Sequence, residues 1–303
     1  MQTSVTNRSI LLAHLAQLVS VIIISVGFMV QKSLVREFAA PTILLWQFLG
    51  ASAVMWLICL VRQFHRSVSR RFAFILLWGG MAPGLVMIFT IYGGARTDGV
   101  SLAVMWGLLP LLVPALGFLL LGERAHWSLG LGAAIGFAGL IVLSLSREAV
   151  GAGNLTGNAL VLLAVLCASF SQIVGRRMNR GAIPWFQVAT LQVSGALIAI
   201  IGLSLATGTL TLLPLTLPLQ GIAMAYLVLV MTVLNYALFN YALRHLPVAW
   251  VSIYVALNPA FGTLAAIVIL DAKPRPLDWI GMAIIIGGVT LPHIHALLHR
   301  RSR

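Results

Sequence analysis

Ten apolar stretches, none interrupted in its middle by lysine, arginine, aspartate or glutamate, dominate this 303-residue chain. They lie at 10–31, 41–61, 72–93, 97–120, 127–145, 155–176, 184–206, 218–241, 247–270 and 278–297. A helix needs roughly 20 mostly apolar residues to cross a bilayer. In hydrocarbon every backbone amide must find its partner within the protein, so such stretches fold as helices or closed barrels. Barrel strands are short and alternating, unlike these continuous blocks. The expected fold class is an all-α polytopic membrane protein with ten transmembrane helices. Charged residues make up only 8% of the chain, far below the roughly 25% usual in soluble proteins. The first stretch has only Arg8 before it and no clear small-x-small site after it, so it reads as a span and not as a cleaved signal.

The net charge of +13 raises nucleic acid as a partner, but the distribution of charge excludes it. With the N-terminus inside, 13 of the 19 basic residues fall on the cytoplasmic side: Arg8, Arg62, Arg66, Arg70, Arg71, Arg124, Arg176, Arg177, Arg180, Arg244, Arg300, Arg301 and Arg303. Lys32, Arg36, Arg96, Arg147, Lys273 and Arg275 fall outside, with five of the six acids. This positive-inside bias predicts cytoplasmic N- and C-termini in a bacterial-type inner membrane. Cys59 and Cys167 lie within expected spans and read as small apolar filler. His293, His295 and His299 crowd the last span's end and read as interfacial anchors, not as a zinc site. Trp46, Trp78, Trp127, Trp185 and Trp279, near span ends, read as interfacial belt residues.

The two halves of the chain echo each other. Ser101 to Glu123, around Pro110, parallels Val251 to Asp271, around Pro259. The prolines are 149 residues apart, and the terminal acids 148. Gly132 to Gly139 is matched by Gly281 to Gly288, and Tyr92 by Tyr241, again at 149. Four landmarks at nearly one interval indicate an internal duplication. We divide it into a first repeat, 1–148, and a second, 149–303. Each holds five spans. Five is odd, so the second copy enters the membrane inverted, an architecture that suits alternating access.

These motifs resemble the drug/metabolite transporter superfamily in its ten-helix EamA-type branch. The resemblance covers almost the whole chain. It rests on Leu109-Pro110, Gly122-Glu123 and the glycines from Gly132 to Gly139, and on Asn258-Pro259 with Asp271 in the second copy. Asp271 stands where the family often has glutamate, and Ala272-Lys-Pro-Arg-Pro lengthens the loop after it. The resemblance implies a basket-like transporter of small organic metabolites, often an exporter.

Polar groups within the spans are the candidate site, because an unsatisfied one is costly in lipid. The expected substrate-binding residues are Gln47, Tyr92, Trp106, Gln187, Asn235, Tyr236, Tyr254 and Asn258. Tyr254 and Asn258 are four apart and would share a helical face. Gln17, Ser20, Ser169 and Gln172 are further polar span residues. Such a cavity would be neutral, with amides to hold a zwitterion or hydroxyl and rings to cover an apolar group. Pro110 and Pro259 should bend their helices and serve as hinges. Asp98, at the outer mouth, is a candidate coupling residue or a helix cap. The glycines of spans five and ten provide close-packing faces, with a dimer contact as one use; monomer and homodimer both stay open.

The function expected is a secondary transporter of a small-molecule substrate, most simply an amino-acid exporter embedded in the lipid bilayer. Carriers of sugars, nucleosides or drug-like compounds are the alternatives. A membrane enzyme ranks lower, because the six acids are scattered over separate loops. No Gly-rich lysine motif supports ATP coupling, and no cofactor is expected. No acid lies at mid-membrane depth, which argues against a carboxylate proton relay there.

Overall fold

A computed structural model of the protein describes residues 7–34, 37–62, 70–97, 99–145, 155–208, 218–271 and 273–300. Among the described residues, ten helices are long and apolar enough to cross a membrane. They are Arg8–Leu34, Ala40–Val61, Phe72–Gly94, Val104–Leu121, Trp127–Ser144, Leu155–Asn179, Trp185–Ala206, Pro218–His245, Val248–Ile269 and Pro276–His295, here called spans one to ten. Each overlaps one expected stretch.

The chain packs into two compact units, Met1–Ile88 with Val174–Leu246, and Phe89–Ile173 with Pro247–Arg303. Each draws helices from both sequence repeats. In the first unit, Ile23, Leu34, Ile43, Met224, Leu227 and Met231 form one apolar core. Ile75, Trp78, Ile183, Val188 and Leu191 form another. Trp78 is therefore a core residue and not the interfacial anchor its position suggested: its ring lies within 3.2 Å of the place a side chain on Gly175 would take. Spans three and seven meet backbone to backbone. A Cβ on Gly79 would collide with the Gln192 carbonyl, and one on Gly195 with the Leu76 carbonyl.

Spans three and eight are both irregular at equivalent places. Span three carries a wide-turned segment at Gly80–Leu85, where Ala82 is extended (φ −147°, ψ 119°) just before Pro83. Proline disfavours the helical conformation in the residue before it, which explains Ala82. Span eight carries a similar segment at Tyr226–Leu234. Shifted by the repeat interval, 80–85 falls on 229–234, inside that segment.

The second unit shows the duplication in its contacts. A Cβ on Gly132 would strike the Gly288 carbonyl, and one on Gly288 would lie 2.6 Å from the Gly132 carbonyl. Gly139 and Gly281 do the same, each within 2.9 Å of the other's carbonyl. Pairs 132/288 and 139/281 run in opposite directions, so spans five and ten are antiparallel. Exchanging the repeats turns one pair into the other. The contact is self-complementary, as across a two-fold axis. These four glycines pack against one another within one chain.

Spans four and nine each break just before their proline. At span four the chain runs as a helix over Gly99–Gly107, turns at Leu108 and resumes over Leu109–Leu121. Span nine is Val248–Val255, a turn at Ala256 and Leu257, then Asn258–Leu270. Pro110 and Pro259 thus sit in the first turn of the following helix, where their missing N–H costs least. Both following helices end on a left-handed residue, Gly122 (φ 65°) and Asp271 (φ 51°). These two are 149 apart. Asp271 is therefore the counterpart of Gly122 and not of Glu123, which corrects the acid-to-acid pairing drawn from the sequence. Aspartate tolerates this conformation better than most non-glycine residues.

Gly139→Leu or Gly281→Leu should lower the thermal midpoint of the purified protein sharply, because overpacking a backbone contact costs about 1–3 kcal/mol or more. Gly130→Leu and Gly287→Leu, on the same two helices but with nothing within 4 Å of the added carbon, should leave it unchanged. Asp271→Gly should hold or raise the midpoint, whereas Asp271→Val should lower it by the equivalent of about 1–2 kcal/mol. Fluorescence-detected thermal size-exclusion measures all of these.

Candidate substrate-binding site

Four of the expected site residues lie in the first unit. Gln47 is buried on span two. Its amide donates to the Thr232 hydroxyl at 2.8 Å and accepts from Gln31 at 2.9 Å. Thr232 donates to the Leu227 carbonyl at 2.8 Å, five residues back, in the wide-turned part of span eight. One turn on, Asn235 accepts from the Ser20 hydroxyl at 2.6 Å. Tyr236 sets its ring edge-on to Phe48, centroids 6.5 Å apart. Spans one, two and eight are thus joined by amides and hydroxyls. Gln187 is buried at the start of span seven.

A second amide chain in this unit was not anticipated as a unit from the sequence. Asn179 donates to the Asn240 side-chain oxygen at 2.8 Å, and Asn240 donates to that of Gln192 at 3.0 Å. Gln192 in turn donates to the carbonyl of Ala82 at 3.2 Å, the extended residue of span three. Four spans are linked through three amides. Arg176 also departs from its expected role as a surface charge. It is buried, and its guanidinium donates to the carbonyls of Leu243 and Arg244 at 2.6 and 2.8 Å. The last carbonyls of a helix lack intrahelical donors, and a cation there also offsets the helix dipole.

The remaining expected residues lie in the second unit. Tyr92 is half-buried; its carbonyl accepts from Arg96 at 2.8 Å, and that guanidinium carbon sits 5.8 Å from the ring centroid. Trp106 is half-buried in the last turn before the break in span four. Tyr254 is buried and its hydroxyl lies 2.7 Å from His293 Nε2. His293 Nδ1 lies 2.9 Å from the Val289 carbonyl, which requires a proton on Nδ1. Nε2 is then the acceptor and the Tyr254 hydroxyl the donor. Trp250 presses edge-on against the same imidazole, 4.7 Å between centroids. His293 is thereby part of a ring cluster inside the unit, beyond the anchoring role expected of it.

Tyr254 and Asn258 lie on either side of a turn and not on one unbroken helix. Ala256 and Leu257 form tight three-residue hydrogen bonds to Ile253 and Tyr254, and Asn258 begins the next helix. The four-residue spacing assumed an unbroken helix; the turn at Ala256 and Leu257 interrupts it, although both residues keep right-handed helical dihedrals. Pro110 and Pro259 stand at matched breaks; a proline has no N–H to offer the carbonyl four residues earlier, here Trp106 and Val255. Asp98, the candidate coupling residue, lies outside the described residues.

Known proteins place this architecture. A solved crystal structure superposes with a TM-score of 0.77, covering 96% of this chain and 98% of its own, at 21% identity. At that identity the likeness establishes the fold. No curated protein matches the chain. The sequence profile of the EamA-like transporter family matches it twice, over residues 11–145 and 155–292. Two copies over nearly the whole length, with ten spans, mean that this chain belongs to the EamA-like transporter family of the drug/metabolite transporter superfamily.

Proposed function

We propose that this EamA-like transporter exports an amino acid or a closely related metabolite from the cytoplasm by alternating access. The observation that carries the reading is the pair of matched helix breaks at Leu108 and Ala256–Leu257, each followed at once by a proline-bearing helix. Transporters with inverted repeats commonly place their substrate at such discontinuities, where backbone carbonyls lose helical donors. The Trp106 and Val255 carbonyls are so placed, and they suit the ammonium of a zwitterion. Half-buried Trp106 and Asn258 flank the breaks. An indole covers an apolar side chain and an amide holds a carboxylate. Tyr92 and Tyr254 extend this set, and Pro110 and Pro259 act as its hinges. Gln47, Gln187, Asn235 and Tyr236, in the amide-bearing unit, are proposed as a separate set of substrate contacts. Positive charge favours cytoplasmic termini in an inner membrane, and five spans in each of the repeats 1–148 and 149–303 make the two opposite in orientation.

The deciding experiment is counterflow in proteoliposomes, with amino acids, nucleosides, sugars and lipophilic cations as separate panels. The expected result is exchange of one or more amino acids. Exchange confined to nucleosides or sugars would replace the cargo assignment and leave the carrier intact. Asn258→Ala should reduce amino-acid exchange roughly tenfold, the equivalent of one hydrogen bond to a charged group at about 1.5–3 kcal/mol. Trp106→Ala should raise the half-saturating concentration. Unchanged flux in both variants would remove the site from the breaks.

A further inference from the structure

The first unit holds an open depression of about 380 Å³ that the transport reading does not use. It is lined by Ala182, Pro184, Trp185, Tyr241, Arg244 and His245. These residues come from the loop between spans six and seven, the first residue of span seven and the last turns of span eight. On the orientation proposed above, on which this inference rests, that end faces the cytoplasm.

Two features set the depression apart from a merely basic helix end. The first is its walls. Trp185 meets Tyr241 edge-on with centroids 5.5 Å apart, and the Tyr241 and His245 rings are 4.3 Å apart. His245 Nδ1 lies 2.9 Å from the Tyr241 carbonyl and so carries the proton, which fixes the ring and leaves Nε2 as its other polar atom. The second is a charge with little hydrogen bonding of its own. Arg244 has one long hydrogen bond from its guanidinium among the described residues, 3.5 Å to the Ile183 carbonyl. The carbonyl end of span eight would ordinarily offset that charge, but buried Arg176 already occupies the Leu243 and Arg244 carbonyls. The unit's residues include a single acid, Glu37, and it bonds Gln220 near the opposite ends of the spans; in the other unit, the Glu123 carboxylate is engaged by the Val248 N–H at 2.9 Å. Arg177 and Arg180 add further positive charge at the end of span six.

We propose that this depression binds a phosphate ester. The phosphate is taken by the Arg244 guanidinium, whose planar donors match its oxygens, and by His245. The ester's organic group lies against Trp185 and Tyr241. Two sources share this chemistry: the headgroup of an anionic phospholipid in the cytoplasmic leaflet, and a soluble organic phosphate. Basic pockets between spans on the cytoplasmic side are suited to the former.

The test uses the full-length protein, delipidated in neutral detergent, with dioctanoyl phosphatidylglycerol, dioctanoyl phosphatidylcholine and glycerol 3-phosphate as titrants in calorimetry. Saturable binding of phosphatidylglycerol with glycerol 3-phosphate unable to compete assigns the site to lipid. Effective competition by glycerol 3-phosphate assigns it to a soluble ester. Arg244→Gln should weaken the bound ester at least tenfold, and Arg244→Lys should weaken it less. Arg62→Gln, which removes an exposed arginine at the end of span two, should leave it unchanged. Equal weakening by Arg62→Gln and Arg244→Gln would overturn the proposal in favour of diffuse charge attraction. Binding of phosphatidylcholine as tight as phosphatidylglycerol, or no saturable binding at all, would also overturn it. Thermal midpoints of the variants guard against misfolding, with Arg244→Lys as the informative variant if Arg244→Gln is unstable. The assay needs no flux, so a failed cargo assignment and a failed phosphate site are distinguishable.

Discussion

Hydrocarbon offers no hydrogen-bond partner to a backbone amide, and this one constraint shapes the irregularities described above. Spans can be broken only where something else accepts or supplies the missing bonds. Here the breaks before Pro110 and Pro259 are confined to turns of one or two residues, closed by tight bonds such as Leu257 N–H to the Tyr254 carbonyl. The extended Ala82 of span three presents its carbonyl to Gln192. The last carbonyls of span eight are covered by Arg176. The Ala82 carbonyl and the last carbonyls of span eight each have a named partner.

Lipid also removes the usual drive for helices to associate, so close approach must replace it. The glycines serve this end at two places. In one unit Gly79 and Gly195 bring spans three and seven into backbone contact; in the other Gly132, Gly139, Gly281 and Gly288 do so for spans five and ten. The second contact is self-complementary under the repeat, which is how a duplicated sequence becomes an antiparallel pair. The broken spans four and nine belong to the same unit as this rigid pair. A firm glycine seam beside interrupted helices suits a carrier, whose moving parts need something fixed to move against.

The ten spans were legible because their signal is local: an apolar run of bilayer length needs no partner to be recognised. The repeat interval was legible too, since prolines and glycines mark backbone events. The candidate site was legible only residue by residue. Gln47 and Asn235 were marked by polarity, but their partners Thr232 and Ser20 lie 185 and 215 residues away. Nothing in local spacing announces such pairs. In the sequence Arg176 reads as a surface charge, because composition reports a charge and not where its guanidinium ends. Tyr254 and Asn258 were placed on one face because spacing arguments assume an unbroken helix. Asp271 was paired with Glu123 by chemistry, whereas backbone conformation pairs it with Gly122.

The amino-acid sequence alone determined that this chain lives in a membrane, how many times it crosses and that its two halves are copies. Hydrophobic length, charge placement and breaker residues act along the chain, so they can be read along it. Tertiary structure alone decided which glycines face each other, which amides join, which arginine is buried and where aromatic rings and Arg244 converge. Those are contacts between residues remote in sequence, selected by the packing of whole helices, and no local pattern encodes them.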